Sequence, residues 1–116
     1  MKTTKWDARP RWRLVRGSTI ALGPGKADLL GAIEENGSIS GAARALGMSY
    51  RRAWLLVETM NESFVRPLVA TSGFRGKGAS LTANGKTVLR LYREIEKRSV
   101  ESARGSVASL LRLMRT

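Results

Sequence analysis

Apolar residues Leu29, Leu30 and Ile33 recur at helical spacing between Gly25 and Asn36, and Asn36-Gly37 supplies a stop. The pattern predicts a first helix, with Asp28 suited to its first turn. Ser38-Ile39-Ser40 then leads into an alanine-rich segment ending at Leu46-Gly47, a short second helix for which Ser40 is the expected N-cap. Met48-Ser49 opens a third helix, capped by Ser49 and running to Glu62, with Ala53, Trp54, Val57 and Met60 on its apolar face. Tyr50, Arg51 and Arg52 begin the opposite face.

Shorter periods flank this helical block. Arg11 to Arg16 alternates Trp12 and Leu14 with Arg11, Arg13 and Val15, which predicts a half-buried strand before a turn at Gly17-Ser18. Leu68 to Thr71 and Ala79 to Thr82 are β-competent runs on either side of Ser-Gly-Phe-Arg-Gly-Lys-Gly, a basic, glycine-rich hairpin tip. From Thr82-Ala83-Asn84 onward the spacing of Val88, Leu91, Tyr92 and Ile95 predicts one long helix with no proline, whose sole internal weakness is Gly105. Val107, Leu110, Leu111 and Met114 make a second stripe on it, too large to leave in water on a small monomer, so a partner subunit is expected to cover it. The expected organisation is a basic, mobile segment over 1–10, a folded unit over 11–82 and a long dimerisation helix over 83–116.

Charge narrows the function. Lysine and arginine number 21 against 9 acidic residues, for a formal charge of +12, so the expected partner is polyanionic. The chain has no Cys and no His, which excludes disulfides, thiolate metal sites and imidazole catalysis. No enzyme activity, cofactor or metal is expected. Glu34, Glu35, Glu58, Glu62, Glu94 and Glu96 lie on predicted helices among lysines and arginines and read as solvated faces. The opening Met-Lys-Thr-Thr-Lys-Trp lacks an apolar leader core and no apolar run is long enough for a membrane span, so a cytoplasmic protein without a membrane partner is expected.

Two helices joined by a short glycine-containing turn, the first rich in small residues, form a helix-turn-helix pattern. Ile39, Ala43, Leu46, Met48, Ala53 and Leu56 fall where such a pair needs buried residues, and Gly47 can take the positive φ of the turn. In this geometry the start of the third helix enters the major groove. Tyr50, Arg51 and Arg52 are therefore expected at base edges and Ser49 at a phosphate. Trp54 is assigned to the core. Arg75, Gly76, Lys77 and Gly78 are the expected wing contacts, combining cations with glycines that let backbone amides approach phosphate. These glycines join strand to strand and lack the order GxxxxGK[ST], which argues against a nucleotide cradle.

The segments Gly37-Ser38-Ile39-Ser40, Gly41-Ala42-Ala43, Gly47-Met48-Ser49-Tyr50, Ala53-Trp54 and Met60-Asn61 resemble the N-terminal DNA-binding domain of the ModE family of molybdate-responsive regulators, itself LysR-like. Gly73, Gly76, Lys77, Gly78 and Ala79, followed by Leu81-Thr82 and Gly85, are similar to that family's wing and the start of its long helix. The likeness covers roughly residues 24 to 98. It implies a winged helix-turn-helix, mostly α with a small β wing, an N-terminal strand and a long C-terminal dimerisation helix. It further implies DNA contacts from Ser49, Tyr50, Arg51, Arg52 and Lys77, and a homodimer. The family's C-terminal oxyanion-binding domains have no counterpart before Thr116, which argues against molybdate or tungstate sensing; direct oxyanion binding by this chain stands as an alternative. The expectation is a homodimeric regulator specific for double-stranded DNA; the competing readings are an architectural, nucleoid-type DNA-coating protein and a protein-interaction module.

Overall fold

The computed structural model describes residues 5–73 and 78–115. The order is β1 (Leu14–Arg16), β2 (Thr19–Leu22), α1 (Pro24–Asn36), α2 (Ile39–Ala45), α3 (Tyr50–Ser63), β3 (Val69–Ser72), β4 (Gly78–Leu81) and α4 (Ala83–Arg112). β1 pairs antiparallel with β2, and β3 with β4, as separate two-stranded sheets. The chain is thus mostly helical with a small β wing, as the sequence predicts. Among the described residues no helix is long and apolar enough to cross a membrane.

The helix ends follow from local chemistry. Pro24 occupies the start of α1, where its missing N–H is not needed. Gly37, at φ +69°, closes α1 by donating its N–H to the Ile33 carbonyl at 2.8 Å. Ser38, not Ser40, caps α2: its hydroxyl accepts the Gly41 N–H at 2.9 Å. Only the extended Ser38 separates the left-handed Gly37 from the helix that begins at Ile39, so the cap falls two residues earlier than expected. Asp28 lies beyond the first turn of α1 and instead takes a charged hydrogen bond from Arg93 of α4 at 2.8 Å.

One core gathers Leu22, Leu29, Leu30 and Ile33 with Ile39, Ala42 and Ala43, Ala53, Val57 and Met60, Leu68, Val69, Ala79, Leu81 and Tyr92. The N-terminal strand departs from expectation. It is shorter than Arg11–Arg16, it belongs to a hairpin whose second strand the alternation did not reveal, and Trp12, Leu14 and Val15 are exposed. The hairpin lies at the rim of the core, and on β2 only Leu22 is fully buried. Trp54 is a second correction: it is 40% exposed. The buried arc of α3 is narrow, running through Ala53, Val57 and Met60, and Trp54 lies one residue round the helix from it.

Wing and long helix are tied to α3 at one point. The Asn61 Oδ1 accepts the N–H groups of Leu68 at 2.8 Å and Val69 at 3.1 Å, and its Nδ2 donates to the Val69 carbonyl at 3.2 Å. The Leu68 carbonyl in turn accepts the Thr82 N–H at 2.9 Å, while Thr82 caps α4 through the Gly85 N–H at 2.9 Å. Gly85 lets α4 approach this closely, since a Cβ there would collide with the Leu68 carbonyl oxygen. On the other side of the wing, Ala79 donates its N–H to the Gly37 carbonyl at 2.9 Å.

Beyond Tyr92, α4 runs past the core without a break at Gly105. The N-terminal segment, expected to be mobile, lies along this part of α4 over its described residues. Trp6 Nε1 donates to the Arg115 carbonyl at 2.5 Å, and residues 8–13 border a groove with Val100, Ala103, Val107 and Leu111. Near the other end of the segment, the buried Tyr92 hydroxyl donates to the Trp12 carbonyl at 2.7 Å, and burial pushes its phenol pKa up. Tyr92→Phe should cost about 1 kcal/mol in urea unfolding and speed trypsin cleavage after Arg11 and Arg13. Unchanged cleavage would show that the bond does not hold the segment down.

Candidate nucleic-acid interface

The unit that presents the candidate residues is built on close packing of α2 and α3. Ala42 and Ala43 are buried and nearly volumeless at the contact, which lets the two helices approach. The turn between them is closed by the Leu46 N–H on the Ala42 and Ala43 carbonyls at 3.1 and 3.2 Å and by the Met48 N–H on Ala43 at 3.0 Å. Gly47 sits in this turn at φ +67°, where a side chain would be strained. Of the positions expected to be buried, Ile39, Ala43 and Ala53 are, Met48 and Leu56 are partly so, and Leu46 is exposed. Leu46 is the residue after the last turn of α2, where the chain already points away from the core.

Ser49 caps α3 as expected, its hydroxyl accepting the Arg52 N–H at 3.1 Å. The cap uses an oxygen lone pair and leaves the exposed hydroxyl's proton available to donate to a phosphate. Arg51 and Arg52 are exposed on the first turn, whereas Tyr50 is half-buried and packs against the core. No acidic residue lies in this turn, so the positive end of the helix dipole and the two guanidiniums add into one positive site. Farther along, Glu58 and Glu62 are exposed, which confines the positive potential to the start of α3.

Among the wing candidates, Arg75, Gly76 and Lys77 lie outside the described residues. Gly78 is the first residue of β4, opposite Ser72, and a Cβ on it would overlap the Ser72 hydroxyl oxygen and come within 3.2 Å of its carbonyl oxygen. Its glycine is thus accounted for by close strand pairing. Two exposed residues near the α2–α3 unit are not singled out by the sequence patterns. Arg44 is in the last turn of α2, and Leu55 stands one turn after Arg51 on the same face of α3. The i, i+4 spacing from Arg51 is the signal that points to Leu55.

Residues 27–86 match the bacterial regulatory helix-turn-helix proteins of the lysR family. The molybdenum-pterin-binding protein MopB of Rhodobacter capsulatus is 38% identical over 103 residues, covering 83% of this chain and 38% of MopB. The molybdenum transport protein ModE of Azotobacter vinelandii is 40% identical over 78 residues, covering 66% of this chain and 29% of that protein. The chain therefore spans less than two-fifths of the length of either relative. The resemblance to ModE regulators drawn from the motifs holds over the N-terminal part of these proteins. Among solved structures, the CbnR_DBD–DNA complex matches in fold with a TM-score of 0.61 at 23% identity, over 74% of this chain and 95% of that one. Full-length LysG of Corynebacterium glutamicum matches with a TM-score of 0.56 at 25% identity, over 75% of this chain and 29% of LysG.

Proposed function

This chain belongs to the lysR family of bacterial regulatory helix-turn-helix proteins, and from that premise we propose that it is a transcriptional regulator binding specific double-stranded DNA as a homodimer. It acts by binding and not by catalysis. The observation that carries this reading is the exposure of Arg51 and Arg52 on the first turn of α3, with Ala53, Val57 and Met60 holding the other side of the helix in the core. A guanidinium fork there can pair with guanine O6 and N7 while Ser49 donates to a phosphate. Residues 11–82 form the DNA-binding unit in this reading, with Arg75, Gly76, Lys77 and Gly78 at the wing, and residues 83–116 the dimerisation helix. Leu91, Ile95 and Leu110 are exposed along α4, as is Leu113 at its C-cap, at 84%, which favours burial against a second copy. The names of the relatives MopB and ModE favour target genes of molybdate transport or molybdenum metabolism.

Two recognition helices about 34 Å apart would read a pseudo-palindromic site. Selection of bound duplexes from a random pool, followed by competition with bulk DNA, tests this. The regulator should keep its selected site against a large excess of random duplex, and sedimentation should give a dimer. With six to ten phosphate contacts, affinity should drop about 10³- to 10⁵-fold between 50 and 200 mM salt. A salt-insensitive affinity contradicts the reading. The exposed Arg9, Arg11 and Arg13 beside Arg104 favour one rival, a DNA-coating architectural protein. That protein would select no sequence and would be stripped from any site by the competitor.

A further inference from the structure

The outward line of α3 consists of Arg51, Leu55, Glu58 and Glu62, spaced i, i+4, i+7 and i+11, opposite the buried Ala53, Val57 and Met60. Leu55 is the apolar member of this line and is 50% exposed. The core does not need it. The nearby cleft between the β1–β2 hairpin and the end of α3 is lined by Leu14, Val15, Thr59 and Glu62, with Leu55 outside that lining. A leucine is thus held in water one helical turn beyond the arginine that begins the groove-facing line.

On the DNA-binding function proposed above, on which this inference rests, we propose that Leu55 is a specificity-determining residue that reads a thymine by packing against its C5-methyl group, next to the base pair read by Arg51. The major groove offers one apolar feature to a side chain, and that is the thymine methyl. Leu55 cannot hydrogen-bond a base edge or a phosphate, so any discrimination it gives must come from this packing. A cytosine at the same place lacks the methyl and would leave Leu55 beside a polar amino group. Four residues separate Arg51 from Leu55, about 6 Å along the helix, which suits neighbouring base pairs and not the same one. Glu58 and Glu62 set the far limit of the interface, because carboxylates there repel the phosphate backbone and keep the duplex on the first two turns.

The test uses the full chain and its selected duplex. Sequence selection with Leu55→Ala should relax the preference at one thymine per half-site, adjacent to the position relaxed by Arg51→Ala. Replacing that thymine with deoxyuridine removes only the methyl. It should weaken wild-type binding about fourfold, the equivalent of about 0.8 kcal/mol for one buried methyl group, and leave Leu55→Ala binding unchanged. Because Leu55 is exposed, the variant should unfold at the wild-type urea midpoint, which separates a defect in base reading from a defect in folding. A selected site whose Leu55→Ala profile matches wild type, or equal deoxyuridine sensitivity in both proteins, overturns this assignment and leaves the regulator reading standing. A wild-type chain that selects no sequence overturns both.

Discussion

Replacing Arg51 and Arg52 together with alanine is expected to lower affinity for the selected duplex by about 30-fold to 10⁴-fold, since each good arginine–guanine pair contributes about 1 to 3 kcal/mol of discrimination and 1.4 kcal/mol is tenfold. Both side chains are exposed and neither takes part in an ion pair among the described residues. Thermal stability should therefore stay within about 0.5 kcal/mol of wild type. The double lysine variant sharpens the test. It keeps the charge but loses the planar fork, so binding to random duplex should survive while preference for the site falls. Lysines that preserve the full preference would show that these positions supply charge alone, and base reading would have to be assigned elsewhere.

The second large effect concerns the fold and not the groove. Asn61→Ala should destabilise the chain by about 2 to 4 kcal/mol, because it strips the acceptor from the N–H groups of Leu68 and Val69, both buried, and the donor from the Val69 carbonyl. Asn61→Asp keeps the acceptor and loses the donor, so its loss should be smaller at neutral pH. Urea unfolding of the three proteins gives the order directly. A loss under about 1 kcal/mol for the alanine variant would mean that β3 holds its place through strand pairing with β4 alone.

Much of this architecture was legible because it rests on local rules. Helix periods located α1, α3 and α4, the glycines at 37 and 47 marked the bends, and Ser49 announced the start of the helix that carries the candidate arginines. What escaped was set by tertiary context. Thr19–Leu22 is too short to show a period, and it becomes a strand through pairing with Leu14–Arg16. Tryptophan's usual place in a core gave the wrong position for Trp54, since the small residues of α2 leave α3 only a narrow arc to bury. Leu46 failed for a related reason, having a core-type side chain at a position where the helix has already ended. The site followed the same division. The exposure of Arg51 and Arg52 was legible because they follow a cap that sequence can reveal. Tyr50's half-burial depends on how α3 is rotated against its neighbours, which no local pattern reports, whereas Leu55's outward place follows from its i, i+4 spacing to Arg51. Asn61 bonds to residues seven and eight positions on, a reach that neither helical nor strand periodicity encodes.

The junction at Leu68 bears on how such a protein could acquire new targets. Its N–H is held by Asn61 of α3 and its carbonyl by Thr82, the N-cap of α4, so α3 and the long helix are tied through one residue. A dimer joined through α4 would then behave like a pair of calipers locked at one setting, tolerant of altered letters within each half of an operator but not of one base pair inserted between the halves. Drift in operator spacing would have to be answered by repacking along α4, leaving the Leu68 joint and the start of α3 untouched.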